Sequence, residues 1–112
     1  MANVFKNAYK DATTSLADLI APLDSNHYAI VLTIRATNVD GTNDATVDCV
    51  VKDGSSGESY IAKGVTVPAG TSIELAAPSK IVLEATDEIE VLASAASDIE
   101  FFASYLEVTD EE

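Results

Sequence analysis

The chain has 112 residues, 47% of them hydrophobic and 22% charged, and its 6 Lys and Arg against 19 Asp and Glu give a formal net charge of -13. That length suits one compact domain, and that composition is too apolar for a disordered chain. The charge argues against direct nucleic-acid binding, because affinity for phosphate comes mainly from Lys and Arg displacing counterions.

The opening Met1-Ala2-Asn3-Val4-Phe5-Lys6 lacks the apolar core of a secretion signal, and no run approaches the ~18 apolar residues that span a bilayer; no membrane association is expected. Residues 12–20 carry a weak helical pattern in Leu16, Leu19 and Ile20, but Thr13, Thr14 and Ser15 do not favour a helix start. Extended chain is an equal expectation there. Ala21-Pro22-Leu23-Asp24-Ser25-Asn26 then reads as a turn.

From Tyr28 the alternation is clear. Residues 28–37 place Ile30, Leu32, Ile34 and Ala36 on one side, which predicts a long strand. Residues 38–44 form a polar loop, and a second strand over 45–52 is expected to make a hairpin with the first. The single cysteine, Cys49, lies in phase with Val47 and Val51 and is expected as a small core residue, since a lone cysteine forms no internal disulfide and offers no zinc spacing.

Residues 53–58 make a flexible loop before a strand over 59–67, and Val67-Pro68-Ala69-Gly70 suits a type I turn. Four further strands are predicted over 71–75, 80–85, 88–94 and 98–108, with breaks at 77–79, 86–87 and 95–97. Seven strands, with one or two extended segments before Ala21, predict an all-β antiparallel β-sandwich of jelly-roll type with an extended N-terminal segment. The expected division is an N-terminal segment or arm over 1–27, a sandwich body over 28–109 and an acidic tail over 110–112.

In the last strand Ile99, Phe101 and Tyr105 face one way while Phe102, Leu106 and Val108 face the other. Two apolar faces on one strand predict that the outer one meets another subunit. Phe102 and Leu106 are therefore candidate interface residues. Val4, Phe5, Leu16 and Leu19 join them as the apolar positions of an arm reaching a neighbour.

Catalytic chemistry is hard to assemble from these residues. Acyl transfer needs a nucleophile, a base and an orienting acid together, yet there is one histidine, His27, at a predicted turn-to-strand junction that suits a surface role. Close carboxylate pairs such as Asp87 with Glu88 and Glu90, or Asp98 with Glu100, are expected by chance among 19 acids. Asp40-Gly41-Thr42-Asn43-Asp44 fails the calcium-loop pattern because Gly falls second instead of sixth. Gly54-Ser55-Ser56-Gly57 is not followed by Lys-Ser/Thr and so lacks the phosphate-cradle signature. No catalytic, cofactor-binding or metal-ligating residue is assigned, and no enzymatic activity is expected.

Several segments in order along the chain carry a resemblance: Met1-Ala2-Asn3-Val4-Phe5-Lys6-Asn7-Ala8, Ile30-Val31-Leu32, Tyr60-Ile61-Ala62-Lys63, Val65-Thr66-Val67-Pro68-Ala69-Gly70-Thr71-Ser72, Lys80-Ile81-Val82-Leu83-Glu84-Ala85-Thr86-Asp87, Ala93-Ser94-Ala95-Ala96-Ser97 and Ser104-Tyr105-Leu106-Glu107-Val108. Together they resemble short β-sandwich virion structural proteins of tailed bacteriophages. That resemblance implies a non-enzymatic virion component made in the host bacterial cytoplasm. The resemblance does not fix a place in the particle; within that class the expectation is a homo-oligomer, trimer or ring, that decorates or cements the capsid and has the major capsid or the neck and tail proteins as partners. A neck, collar or tail part is the alternative within that class. A glycan- or receptor-binding fibre head is the competing class, disfavoured by the absence of Trp.

Overall fold

The computed structural model describes residues 2–76 and 80–109; the predicted break at 77–79 and the acidic tail at 110–112 lie outside the described residues. Nine strands form among the described residues: β1 Ala2–Asp11, β2 Ala17–Ile20, β3 His27–Asn38, β4 Ala45–Lys52, β5 Glu58–Val67, β6 Ser72–Glu74, β7 Ile81–Leu83, β8 Glu88–Ala93 and β9 Ile99–Thr109. They pair into two antiparallel sheets, as the sequence predicts. One has the order β1-β9-β3, with β6 and β7 sharing the far edge of β3; the other has the order β2-β8-β4-β5.

The pairings are nested. β1 pairs with β9, β2 with β8, β3 with β6 and β7, and β4 with β5. The chain is therefore one long hairpin with its tip at residues 53–57, rolled so that β9 also meets β3 and β8 also meets β4. With β6 and β7 counted as one interrupted strand, this is an eight-stranded jelly roll.

The core lies between the sheets. Inward-facing residues supply it: Val31, Ile34 and Ala36 from β3, Val47 and Cys49 from β4, Ile89 and Val91 from β8, and Ile99, Phe101 and Ala103 from β9 are all fully buried or within 1% of it. Strict alternation predicts Ile30 and Leu32 on the side of Ile34 and Ala36, but a register break between Val31 and Thr33 puts Val31 in the core instead and leaves Leu32 exposed. The expected place of Cys49 is the observed one, and burial pushes its thiol up to about 12.

Three further expectations differ from the structure. β3 and β4 do not form a hairpin, because they lie in different sheets and residues 39–44 cross between them. The crossing is built on Asn38, 1% exposed, whose Nδ2 donates to the carbonyls of Asn43 and Val67 at 3.0 and 2.9 Å while its Oδ1 accepts Asp40 N–H at 2.9 Å. The tight turn sits one residue later than expected, since Thr71 N–H donates to Pro68 O and Gly70 occupies the third position at φ 71. A positive φ there belongs to type II, which needs glycine.

The third difference concerns residues 1–27. Instead of a separate arm, β1 pairs with β9 over its whole length, and Ala12, Leu19, Ile20 and Leu23 belong to the core. Leu19 was expected at a partner contact, yet at 6% exposed it packs within its own sandwich. Its neighbour Ile20 is buried with it because β2 closes the edge of the second sheet over the core.

Candidate functional site

The outer face of the five-stranded sheet is the most distinctive surface. Register places Phe5, Leu106, Ile30 and Val82 side by side across β1, β9, β3 and β7. They form an apolar row whose two ends are open, with Phe5 76% and Val82 64% exposed. A second row holds Tyr9, Phe102 and Arg35, and a polar row of Asn7, Ser104 and Thr33 lies between them. Around the second row is a shallow groove of about 480 Å³, walled by Tyr9, Asp11, Arg35, Glu100 and Phe102 among others.

Of the six sequence-predicted positions, the structure brings Phe5, Phe102 and Leu106 onto this one face. Val4 is exposed but lies on the opposite face of β1, since successive side chains of a strand alternate. Leu16 is half-buried ahead of β2, and Leu19 is in the core. Tyr9, Ile30 and Val82 complete the face; none of them is an interface candidate from sequence, and alternation places Ile30 on the side of Ile34 and Ala36. The signal for Tyr9 is its spacing of four from Phe5, which puts both on one side of a strand; it is legible only once β1 is known to be extended.

The outer face of the other sheet is more charged, with carboxylates and lysines set around Val50, Tyr60 and Leu92. Asp18, Glu88, Glu90, Asp48 and Glu58 lie there with Lys52 and Lys63. Lys52 Nζ sits 2.8 Å from Glu90 Oε1. Lys63 bridges to Asp48 at 3.3 Å and stacks 4.5 Å above the Tyr60 ring. Among the described residues, Asp18, Glu88 and Glu90 are the group whose carboxylate oxygens, all within 4.8 Å of one another, could hold a cation. A hydrogen bond with Asp18, aided by burial and by like charge, pushes the Glu88 carboxyl up to about 7. Below that pH a shared proton and the Lys52 ammonium relieve the repulsion that a cation would otherwise relieve.

A third cluster ties strands together. Glu107, on β9, accepts Lys6 Nζ at 2.9 Å and meets His27 Nδ1 on its other oxygen. His27 therefore has a structural partner in addition to its place at the turn. Asp40 caps its own loop, accepting Thr42 and Asn43 N–H groups; these bonds hold its carboxyl below the usual range.

No protein-family model matches the chain, and no curated protein matches it in sequence. Solved structures do match in fold. A subunit from work on Bacillus endospore appendages, described as disulfide-linked pili, superposes with a TM-score of 0.57 at 16% identity, covering 98% of this chain and 88% of that one. A chain of infectious bursal disease virus, Gx strain, gives 0.55 at 14% identity over 96% of this chain, which spans only 32% of the viral one. A chain of the capsid of Helicobacter pylori bacteriophage KHP30 gives 0.52 at 10% identity, covering 100% and 95%. At these identities the likeness establishes a shared β-sandwich architecture.

Proposed function

We propose that this protein is a non-enzymatic structural component of a phage virion, a homo-oligomeric accessory subunit that decorates or cements the capsid. The observation that carries the reading is the two-sidedness of the sandwich. One outer face carries the apolar row Phe5-Leu106-Ile30-Val82 and the aromatics Tyr9 and Phe102, and the other carries carboxylates. An apolar face rimmed by polar groups is suited to burial against a neighbouring subunit, and an acidic face is suited to water. A four-strand face about ten residues long covers roughly 600 Å², so contact on it buries about 1,200 Å² in total, the lower end of a specific interface. The jelly-roll likeness to a phage capsid chain and a pilus subunit supports the same class. The disulfide linkage named for the Bacillus pili has no counterpart here, because the single cysteine, Cys49, is buried.

The mechanism is passive: many copies multiply a modest face contact into avidity on a symmetric lattice. A neck, collar or tail position uses the same face with fewer copies. Counting this protein in purified particles and locating it by cryo-electron microscopy separates the two, because hundreds of copies over the shell mean cement and about a dozen at one vertex mean neck or collar. A particle in which Phe102 and Leu106 face solvent would overturn the reading. The groove between Tyr9, Phe102, Arg35 and Glu100 favours one second reading, a glycan-binding head, since it offers aromatic rings beside charged hydrogen-bonding groups. Glycan-array binding at micromolar strength that is lost in Tyr9→Ala would favour it instead.

A further inference from the structure

Each exposed sheet edge is a template for another strand, and natural proteins blunt such edges with short strands, bulges or bends. Three edges here are blunted. β2 has four residues and a register break at Asp18/Ile20. β6 and β7 have three residues each. β5 is longer but carries two register breaks against β4, with Gly64 at φ 63.

β1 is different. It has ten residues, no proline and no register break along its pairing with β9, and it is exposed except at Ala8 and Lys10, which are half-buried. Its phase can be read from the end of the ladder, where Ala12 N–H donates to Ile99 O at 2.9 Å. The main-chain groups of the even positions therefore turn toward β9. Those of Asn3, Phe5, Asn7, Tyr9 and Asp11 turn to the open edge.

We propose that two copies of this chain pair antiparallel through β1, about a twofold axis at Asn7, so that their five-stranded sheets continue into one. Within the phase above, this register sets Phe5 opposite Tyr9 of the second copy, Asn7 opposite its own counterpart, and Asn3 opposite Asp11. Aromatic pairs directly across antiparallel strands are stabilising. On the other side of the strand, Val4 faces Lys10 and Lys6 faces Ala8. Moving the axis by one residue in either direction sets Lys6 opposite Lys6 or Lys10 of the second copy, which is repulsive. Moving it by two shortens the overlap.

The axis stands perpendicular to the sheet, so both apolar outer faces lie on the same side and form one surface of twice the area. The contact is isologous and closed. It rests on edge geometry and holds whatever particle, if any, the dimer joins.

The test uses the full chain. Wild type should sediment as a dimer at about 100 µM, and Asn7→Pro should raise the dimer dissociation constant at least about tenfold. Its far-UV spectrum should stay unchanged, and so should its melting when both proteins are diluted to monomers, because proline there deletes only an N–H facing the open edge. Separately, Asn7→Cys should form an interchain disulfide under mild oxidation, since directly paired Cα atoms at about 5.5 Å are within disulfide reach. Asn3→Cys and Asp11→Cys should each fail alone and cross-link when combined. Buried Cys49 contributes no background. A monomeric wild type at that concentration, an unchanged dimer in Asn7→Pro, or cross-linking strongest elsewhere on β1 would overturn the proposal; if Asn7→Pro fails to fold, the cysteine scan decides alone.

Discussion

Lys6 and Glu107 meet at 2.9 Å across the β1–β9 ladder, and His27 holds the second oxygen of the same carboxylate from β3. One side chain, 11% exposed, thus clamps three adjacent strands at one end of the five-stranded sheet. Burial works to raise the Glu107 carboxyl, but the hydrogen bonds from Lys6 and His27 outweigh it and hold it below its usual value. A carboxyl lowered by folding contributes stability above its unfolded value of about 4.3, and that contribution is lost as the pH falls through the folded value. Glu107→Gln should therefore cost about 1–2 kcal/mol at pH 7 in urea melts and nothing well below pH 4. A gap that stays constant across that range would mean the charge contributes nothing.

Glu88 behaves with the opposite sign. Its carboxyl is pushed up to about 7, chiefly by the hydrogen bond with Asp18, with burial and the nearby carboxylates adding to it. The protonated form is favoured in the folded state, so stability is fully present below the unfolded value and declines as the pH rises toward 7. Glu88→Gln should be close to neutral at pH 4 and raise the melting temperature at pH 8, by an amount worth a few tenths to about 1 kcal/mol. Equal melting of the two proteins at pH 8 would remove the shared proton from the account.

Asn38 makes the crossing between the sheets possible. Its three hydrogen bonds join the end of β3 to the 39–44 loop and to the end of β5. Asn38→Ala leaves the carbonyls of Asn43 and Val67 short of a donor in a buried corner, at a cost of about 2–4 kcal/mol. Asn38→Asp should be no better, because a carboxylate accepts bonds but cannot donate to either carbonyl. Chemical denaturation of both variants tests this. A full rescue by Asp would show that volume, not hydrogen bonding, is what the corner requires.

Strands whose inner positions are apolar were readable from alternation alone: β4 with Val47 and Cys49, β8 with Ile89 and Val91, β9 with Ile99 and Phe101. β1 was not, because its inward phase is Val4, Lys6, Ala8 and Lys10, and two of those four are charged. Sheet membership was also beyond local pattern, since β3 and β4 alternate like a hairpin while Asn38 sends them to different sheets. On the outer face, Phe102 and Leu106 were legible as a second apolar side of one strand. Tyr9, Ile30 and Val82 join them only through register, which depends on residues up to a hundred positions apart. The Lys6-Glu107-His27 clamp was invisible for the same reason.

The integration of the N-terminal segment makes its own prediction. Leu19 is 6% exposed and packs in the core, whereas Leu16 is half-buried outside any strand. Leu19→Ala should cost about 2–5 kcal/mol, a large share of the 5–15 kcal/mol typical of a domain, and Leu16→Ala about 1 kcal/mol or less. Deleting residues 2–20 removes β1 and β2, which uncovers β9 on one sheet and β8 on the other. Such a chain should lose cooperative thermal unfolding and aggregate, because two new edges and part of the core open together. If the truncated protein melts cooperatively as a soluble species, then residues 28–109 form a sufficient body and the first two strands serve a neighbour more than their own sandwich.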